Sequence, residues 1–245
     1  MGRKEWFVER LDEVDSTNVE LARRAREGAA SRAALVADVQ SQGRGRLGRE
    51  WHAPAGSSLL CSVLVDAPVA VAPQWVVVAA ALSLVDALET LTGVRADLKW
   101  PNDVLFGDDK VAGVLAELVD APTPRLVIGV GVNLSEVDPA YASATTVRRA
   151  TGVDLGVDEV LDAYLESLAG HLESLETPGG AARLAEEYRG SLATLRQRVR
   201  VELASGPLYG VAVDVDDEGA ILVDLGETTR RFHAGDVVHL RKEDD

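Results

Sequence analysis

Three guanidinium groups fall within the six positions 44–49 of Gly43-Arg44-Gly45-Arg46-Leu47-Gly48-Arg49, in a chain whose formal net charge is −15. The interleaved glycines carry no Cβ, so the backbone can fold closely around an anion. Arginine supplies a rigid fork of donors matched to phosphate or carboxylate. The same string matches the dinucleotide fingerprint G-x-G-x-x-G, with Asp66 eighteen residues beyond its last glycine. That fingerprint needs a helix to begin at the loop, and Glu50-Trp51-His52-Ala53-Pro54-Ala55-Gly56 cannot continue one. An anion clamp and a solvated basic loop remain as the two readings.

A further cation stands in Lys99-Trp100-Pro101-Asn102-Asp103. A lysine at the end of an apolar strand, just before a proline that ends the ladder, points into a cleft rather than into solvent. Pro, Asn and Asp by themselves are ordinary turn residues. Asp15-Ser16-Thr17-Asn18 is a helix N-cap signal, and a helix start also presents free N–H groups and hydroxyls to a polar ligand. Gln40, at a strand end, either orients a ligand or faces water. Gly129-Val130-Gly131-Val132-Asn133 places two glycines in a strand, which implies close approach by another group. Asn133, Lys110 and Gly113 can each be a turn residue or a ligand contact.

His52, His171, His233 and His239 show no metal-ligand spacing, and there is no Cys-x-x-Cys, Gly-x-Ser-x-Gly or Walker loop. Neither a bound structural metal nor a serine or cysteine nucleophile is expected. What is left is a clamp of Arg44, Arg46, Arg49 and Lys99 beside the neutral groups of Ser16, Thr17 and Gln40. Such a set suits adenylation, in which a substrate carboxylate attacks the α-phosphate of ATP and the protein supplies position and positive charge.

The elements that must position these groups follow from hydrophobic periodicity. Ser16–Gly28 reads as a helix, and Ala33–Val39 and the run around Leu59, Cys61, Val63 and Val65 read as strands. Trp75–Leu91 is a helix apolar nearly all round, hence buried. Asp97–Trp100 and Val104–Phe106 are extended, Gly107-Asp108-Asp109 turns into Lys110–Leu118, and Leu126–Leu134 is a β-branched strand. Val157–Leu175 and Ala181–Tyr188 are amphipathic helices. Beyond them come five strand-like runs, Val199–Leu203, Leu208–Val215, Ala220–Val223, Thr228–Phe232 and Val237–Leu240. The expected organisation is an α+β domain over 1–191 followed by a small β domain over 192–245.

With 47% hydrophobic and 27% charged residues the chain can bury a core, which excludes intrinsic disorder. A pI near 4.7 argues against general binding to nucleic acids or anionic membranes. The uncharged stretch Ala67–Val85 contains Pro68, Pro73 and Gln74, so it reads as a loop leading into a buried helix, not a membrane span. The single cysteine, Cys61, reads as a buried thiol, and the N-terminus has no signal-peptide pattern. A cytoplasmic location is expected.

Together these strings resemble the biotin protein ligases: Ser16-Thr17-Asn18, Gln40 with Gly43–Arg49, Lys99–Asp103, Lys110-Val-Ala-Gly-Val-Leu-Ala-Glu-Leu118 and Gly129–Leu134, in that order. The resemblance implies a class II synthetase-like catalytic domain, a mixed sheet with helices, followed by an SH3-like β-barrel. It implies that biotin and MgATP form biotinyl-5′-AMP, and that a lysine of a biotin carboxyl carrier domain then takes the biotin and releases AMP. Ser16, Thr17, Asn18, Gln40, Arg44, Gly45, Arg46, Lys99 and Gly113 would hold biotin. Arg44, Arg46, Arg49, Trp51, Lys99, Asn102 and Asn133 would hold ATP and the adenylate. Lys99, Arg44 and Arg46 would carry the catalysis, with the Gly43–Gly48 loop ordering over the adenylate.

Asp103 is a candidate for deprotonating the acceptor lysine, or only orients its turn. The motifs begin at Asp15, so no specific DNA binding by a preceding domain is expected. The oligomeric state is left as monomer or homodimer. A lipoate ligase shares the fold, but the paired Gly-Arg and Lys-Trp-Pro-Asn-Asp strings favour biotin. A non-catalytic sensor would be expected to lose the clamp cations, and an RNA-binding segment would carry interleaved aromatic residues.

Overall fold

The computed structural model describes residues 5–66, 72–119, 125–138, 141, 143–203, 205–233 and 236–239. Strand β1 (Phe7–Val14) crosses through helix α1 (Thr17–Arg26) to β2 (Ala33–Gln40), which lies parallel to it. β3 (Ser58–Asp66), α2 (Pro73–Thr92), β4 (Asp97–Lys99), β5 (Asp103–Phe106), β6 (Asp109–Val119) and β7 (Arg125–Asn133) follow. These strands form one sheet in the order β1-β2-β3-β7-β6-β5-β4, antiparallel everywhere except at β1 and β2. Helices α3 (Val147–Thr151), α4 (Val157–Leu175) and α5 (Gly180–Ser191) lead to β8 (Arg198–Glu202), β9 (Leu208–Val215), β10 (Ile221–Asp224), β11 (Thr229–Phe232) and β12 (Asp236–His239). The last five build a second, antiparallel sheet ordered β11-β10-β9-β8-β12.

β3 and β7 sit mid-sheet and are covered on both faces, which is why β3 is buried from Ser58 to Val65. Leu64 and Val127 face Leu21, Ala22 and Ala25 of α1. Val63, Val65 and Ile128 face the layer of α2, α4 and α5 on the other side. α2 is long and apolar enough to span a membrane by composition, but 67% of its apolar window is buried inside the protein. It ends where Gly93 takes φ 71° and returns its N–H to Glu89 O, a left-handed cap that glycine adopts without strain.

The second sheet shares this core. Val199, Val201, Ala212, Ile221 and Phe232 belong to the same buried cluster as α2. Two tryptophans fasten the sheets: Trp75 Nε1 donates to Asp217 O (2.7 Å) and Trp100 Nε1 to Gly219 O (3.1 Å). Thr194 Oγ1 also accepts from Trp100 N at 2.9 Å.

The expected elements recur with ends shifted by a few residues. β1 was not anticipated: it is a charged edge strand, with Phe7 and Val8 exposed, and carries no buried alternation. The short helix α3 was also not anticipated. Of the last expected strand, Leu240 lies outside the described residues, as do 67–71 of the uncharged stretch.

Candidate active site

The N-terminus of α1, the Gly-Arg loop, the β4–β5 turn and the floor of β6 and β7 enclose a cavity of about 710 Å³. Ser16, Thr17, Asn18, Gln40, Arg44, Gly45, Arg46, Arg49, Trp51, Lys99, Asn102, Gly113 and Asn133 all line it. Sequence positions from 16 to 133 thus converge on one concave surface.

At the start of α1 the expected cap is corrected. Ser16 occupies the N-cap position with extended backbone, but its side chain makes no capping bond. Gln40 caps from β2 instead: its Oε1 accepts from Thr17 N at 2.8 Å and from Thr17 Oγ1 at 3.1 Å. Gln40 therefore fixes the helix start rather than facing water. Behind it, Ser62 Oγ lies 2.7 Å from Thr17 Oγ1 and 2.6 Å from Asn18 Oδ1. Asn18 Nδ2 then donates to Glu117 Oε2 at 2.9 Å and to Leu115 O at 3.3 Å.

The floor glycines answer to side chains. A Cβ on Gly129 would lie 2.2 Å from Asn18 Oδ1, and one on Gly131 would lie 2.6 Å from Trp51 Cε2. The close approach expected at these strand glycines is thus made by Asn18 and Trp51. The Trp51 indole lies against this floor and Gly113, and its Nε1 is buried with no hydrogen-bond partner among the described residues.

The loop closes on itself. Gly45 N donates to Arg49 O (2.8 Å), Trp51 N to Gly43 O (2.9 Å), and Leu47 adopts φ 57° within a 3-10 turn over Arg46–Gly48. No α-helix starts there, in keeping with rejection of the dinucleotide fingerprint. Arg46 Nη1 donates to Asn102 Oδ1 (3.1 Å), and Asn102 Nδ2 to Val114 O (3.1 Å), so Asn102 ties the loop to the β4–β5 turn and to β6. Arg44 Nη1 is 3.2 Å from Glu117 Oε1.

Two lysines enter the cavity. The Lys99 ammonium, at the end of β4, has no hydrogen-bond or ion-pair partner among the described residues. Lys110, whose role the sequence left open, pairs with Asp103 Oδ1 at 2.6 Å and stands 5.5 Å from the centre of the Trp51 ring. Asn133 is buried and donates to Thr145 O at 3.2 Å. Cys61 also borders the cavity, and burial pushes its thiol up to about 12, so it is an inert wall residue.

Sequence reasoning missed Ser62 and Glu117. Ser62 signalled itself only as a hydroxyl among apolar strand residues, and Glu117 stood in the matched string Lys110–Leu118 without a role assigned to it. Elsewhere, Asp86, His171 and Glu187 come together from three helices, which linear spacing did not reveal. There Asp86 Oδ2 accepts from His171 Nε2 (2.8 Å) and Ser167 Oγ (3.0 Å), and Asp86 Oδ1 lies 3.9 Å from Arg95. That makes a clasp between α2 and α4.

Comparison with known proteins follows the same outline. The family model described as Biotin/lipoate A/B protein ligase family matches residues 11–133, and that described as Biotin protein ligase C terminal domain matches residues 194–240. The chain is 39% identical to the biotin–[acetyl-CoA-carboxylase] ligase of Mycobacterium tuberculosis, covering 94% of this chain and 87% of that protein. It is 30% identical to the bifunctional ligase/repressor BirA of Bacillus subtilis, over 97% of this chain and 74% of that one. The solved biotin protein ligase of Aquifex aeolicus, in complex with biotin and ATP, superposes with TM-score 0.84 at 30% identity, covering 96% of this chain and 99% of that one. With the motifs, both sheets, two family models and 87% of the Mycobacterium tuberculosis ligase matched, the chain belongs to the biotin protein ligase family.

Proposed function

We propose that the cavity is where this chain, as an ATP-dependent biotin ligase, makes biotinyl-5′-AMP and passes the biotin to a lysine of a biotin carboxyl carrier domain. The observation that carries the reading is the convergence of five arginine and lysine side chains on the same cavity as a neutral, fully oriented hydrogen-bonding wall. A neutral wall suits the uncharged fused rings of biotin. Thr17, Asn18 and Gln40 form it, backed by the buried Ser62, with Ser16, Gly45 and Gly113 at its border. The acidic surface elsewhere leaves this cluster as a local positive focus for ATP.

In the first step a biotin carboxylate oxygen attacks the α-phosphorus, the bond from that phosphorus to the bridging oxygen breaks, and pyrophosphate leaves. Negative charge grows on the α-phosphoryl oxygens and on the departing group. Lys99, with no counter-ion among the described residues, and Arg44 and Arg46 line the cavity as fixed positive charge that would stabilise that growth without reorganising in the step. Lys110 adds a second ammonium, held in place by Asp103 and the Trp51 face. Arg49 and Asn133 border the nucleotide side, where the Trp51 N–H offers a donor. ATP enters as its magnesium complex, the ion belonging to the substrate and ligated chiefly by phosphate oxygens and water.

In the second step the neutral acceptor amine attacks the acyl carbonyl of the mixed anhydride, the acyl carbon–oxygen bond breaks, the nitrogen gives up one proton to water, and AMP leaves with its phosphorus–oxygen bonds intact. Asp103 is already committed to Lys110 at 2.6 Å, which weakens its case as the base for that amine. The two-part organisation proposed is 1–191 for ligation and 192–245 for the SH3-like sheet.

The reading is tested by incubating the protein with biotin, MgATP and a purified carrier domain, and weighing the carrier by mass spectrometry. A single biotin adduct that depends on ATP and vanishes when the target lysine is changed to arginine is expected. Unmodified carrier in the presence of active, folded protein would overturn it.

A further inference from the structure

Glu117 uses both of its carboxylate oxygens, and the two reach different parts of the site. Oε2 accepts from Asn18 Nδ2 at 2.9 Å, while Oε1 lies 3.2 Å from Arg44 Nη1. Asn18 is itself immobilised: Ser62 Oγ meets its Oδ1 at 2.6 Å, and Gly129 clears the space it fills. Glu117 is therefore anchored on one side by a buried amide and offers its other oxygen to a guanidinium of a glycine-rich loop. An ion pair between two free surface side chains contributes little. Here one partner is already ordered, so the geometry of the second is specified. The contact takes a single Nη1 of Arg44, and guanidinium carries five N–H donors, so others remain for a ligand.

We propose that Glu117 is a positioning residue for the ligation reaction: through its Arg44 contact it holds that guanidinium, and the loop carrying it, in the arrangement that receives the phosphates of ATP. The inference rests on the assignment of Arg44 to the nucleotide in the reading above. It also makes the row Gln40, Thr17, Ser62, Asn18, Glu117, Arg44 one path of hydrogen bonds, closed by an ion pair, from the start of α1 to the loop.

The test measures ATP–pyrophosphate exchange in the full chain for E117A, E117Q, E117D, R44A and the double variant E117A/R44A, with melting temperatures recorded for each. E117A and E117Q are expected to raise KM for ATP about five-fold, with kcat within about two-fold of wild type and E117D partly rescuing. On the R44A background, E117A should change KM for ATP by less than about two-fold, the non-additivity expected of residues acting as a unit. A role in folding alone would instead lower the melting temperature and move the parameters for biotin and ATP together. R44A impaired with E117Q and E117A both at the wild-type KM overturns the proposal for Glu117 alone. Equal effects of E117A on wild type and on R44A overturn it as well. R44A with a wild-type KM for ATP overturns the Arg44 assignment first, and the proposal with it.

Discussion

Lys99 and Lys110 enter one cavity in opposite electrostatic states, one without a counter-ion among the described residues and the other paired with Asp103. Lys99→Ala removes a charge that the substrate alone neutralises, so exchange should fall about 10²–10³-fold with folding intact, the range seen when one preorganised donor is lost. A loss under ten-fold would place Lys99 outside the reaction. The floor glycines make a separate prediction. Gly129→Ala sets a methyl group 2.2 Å from Asn18 Oδ1, and the displaced amide should weaken biotin binding and destabilise the fold by about 1–3 kcal/mol. Isothermal titration and a thermal melt read both effects, and wild-type values for either would contradict the packing. At this scale the sequence was most informative, since all the residues it nominated line the cavity. What it withheld was orientation: that Gln40 rather than Ser16 caps α1, and that Trp51 and Asn18 fill the glycine gaps, are facts of strand register and side-chain reach.

Among the elements, α2 was the most legible and β1 the least. A helix apolar nearly all round is buried in a core or in a membrane, and the prolines leading into α2 and the charges near its end fit the core. β1 has one strand neighbour, four charged residues in two adjacent pairs and no buried row, so nothing in its pattern separates it from a loop; only the parallel ladder with β2 makes it a strand. The clasp between α2 and α4 was equally hidden, because Asp86 and His171 lie 85 positions apart. Burial raises the Asp86 carboxyl, but hydrogen bonds from His171 and Ser167, with the charges of His171 and Arg95, outweigh it and hold the group below its ordinary value of 3.8. The ionised form is thus favoured by folding. The clasp contributes in full above the unfolded-state value and is lost as pH falls through the lower, folded one. Asp86→Asn should lower the melting temperature at pH 7 and flatten its fall below about pH 4. Parallel curves for the two proteins would show that the clasp contributes nothing.

For the molecule as a whole, the change in character near Gly190–Thr194 was legible as the start of five strands, but not the continuity of the core across it. Trp75 and Trp100, from the first sheet's side, donate to the turn at Asp217–Gly219 in the second, and apolar residues of both sheets share one cluster. Unfolding should accordingly be one cooperative transition, with tryptophan fluorescence and far-ultraviolet dichroism coinciding. An earlier melting step for residues 192–245 would contradict that coupling.

The central claim concerns what the cavity activates, and ATP–pyrophosphate exchange measured with biotin, with lipoate and with neither addresses it most directly. Exchange that requires biotin, is absent with lipoate and collapses in Lys99→Ala is the predicted result. Exchange with lipoate as fast as with biotin, or none with either acid in the folded protein, would contradict it.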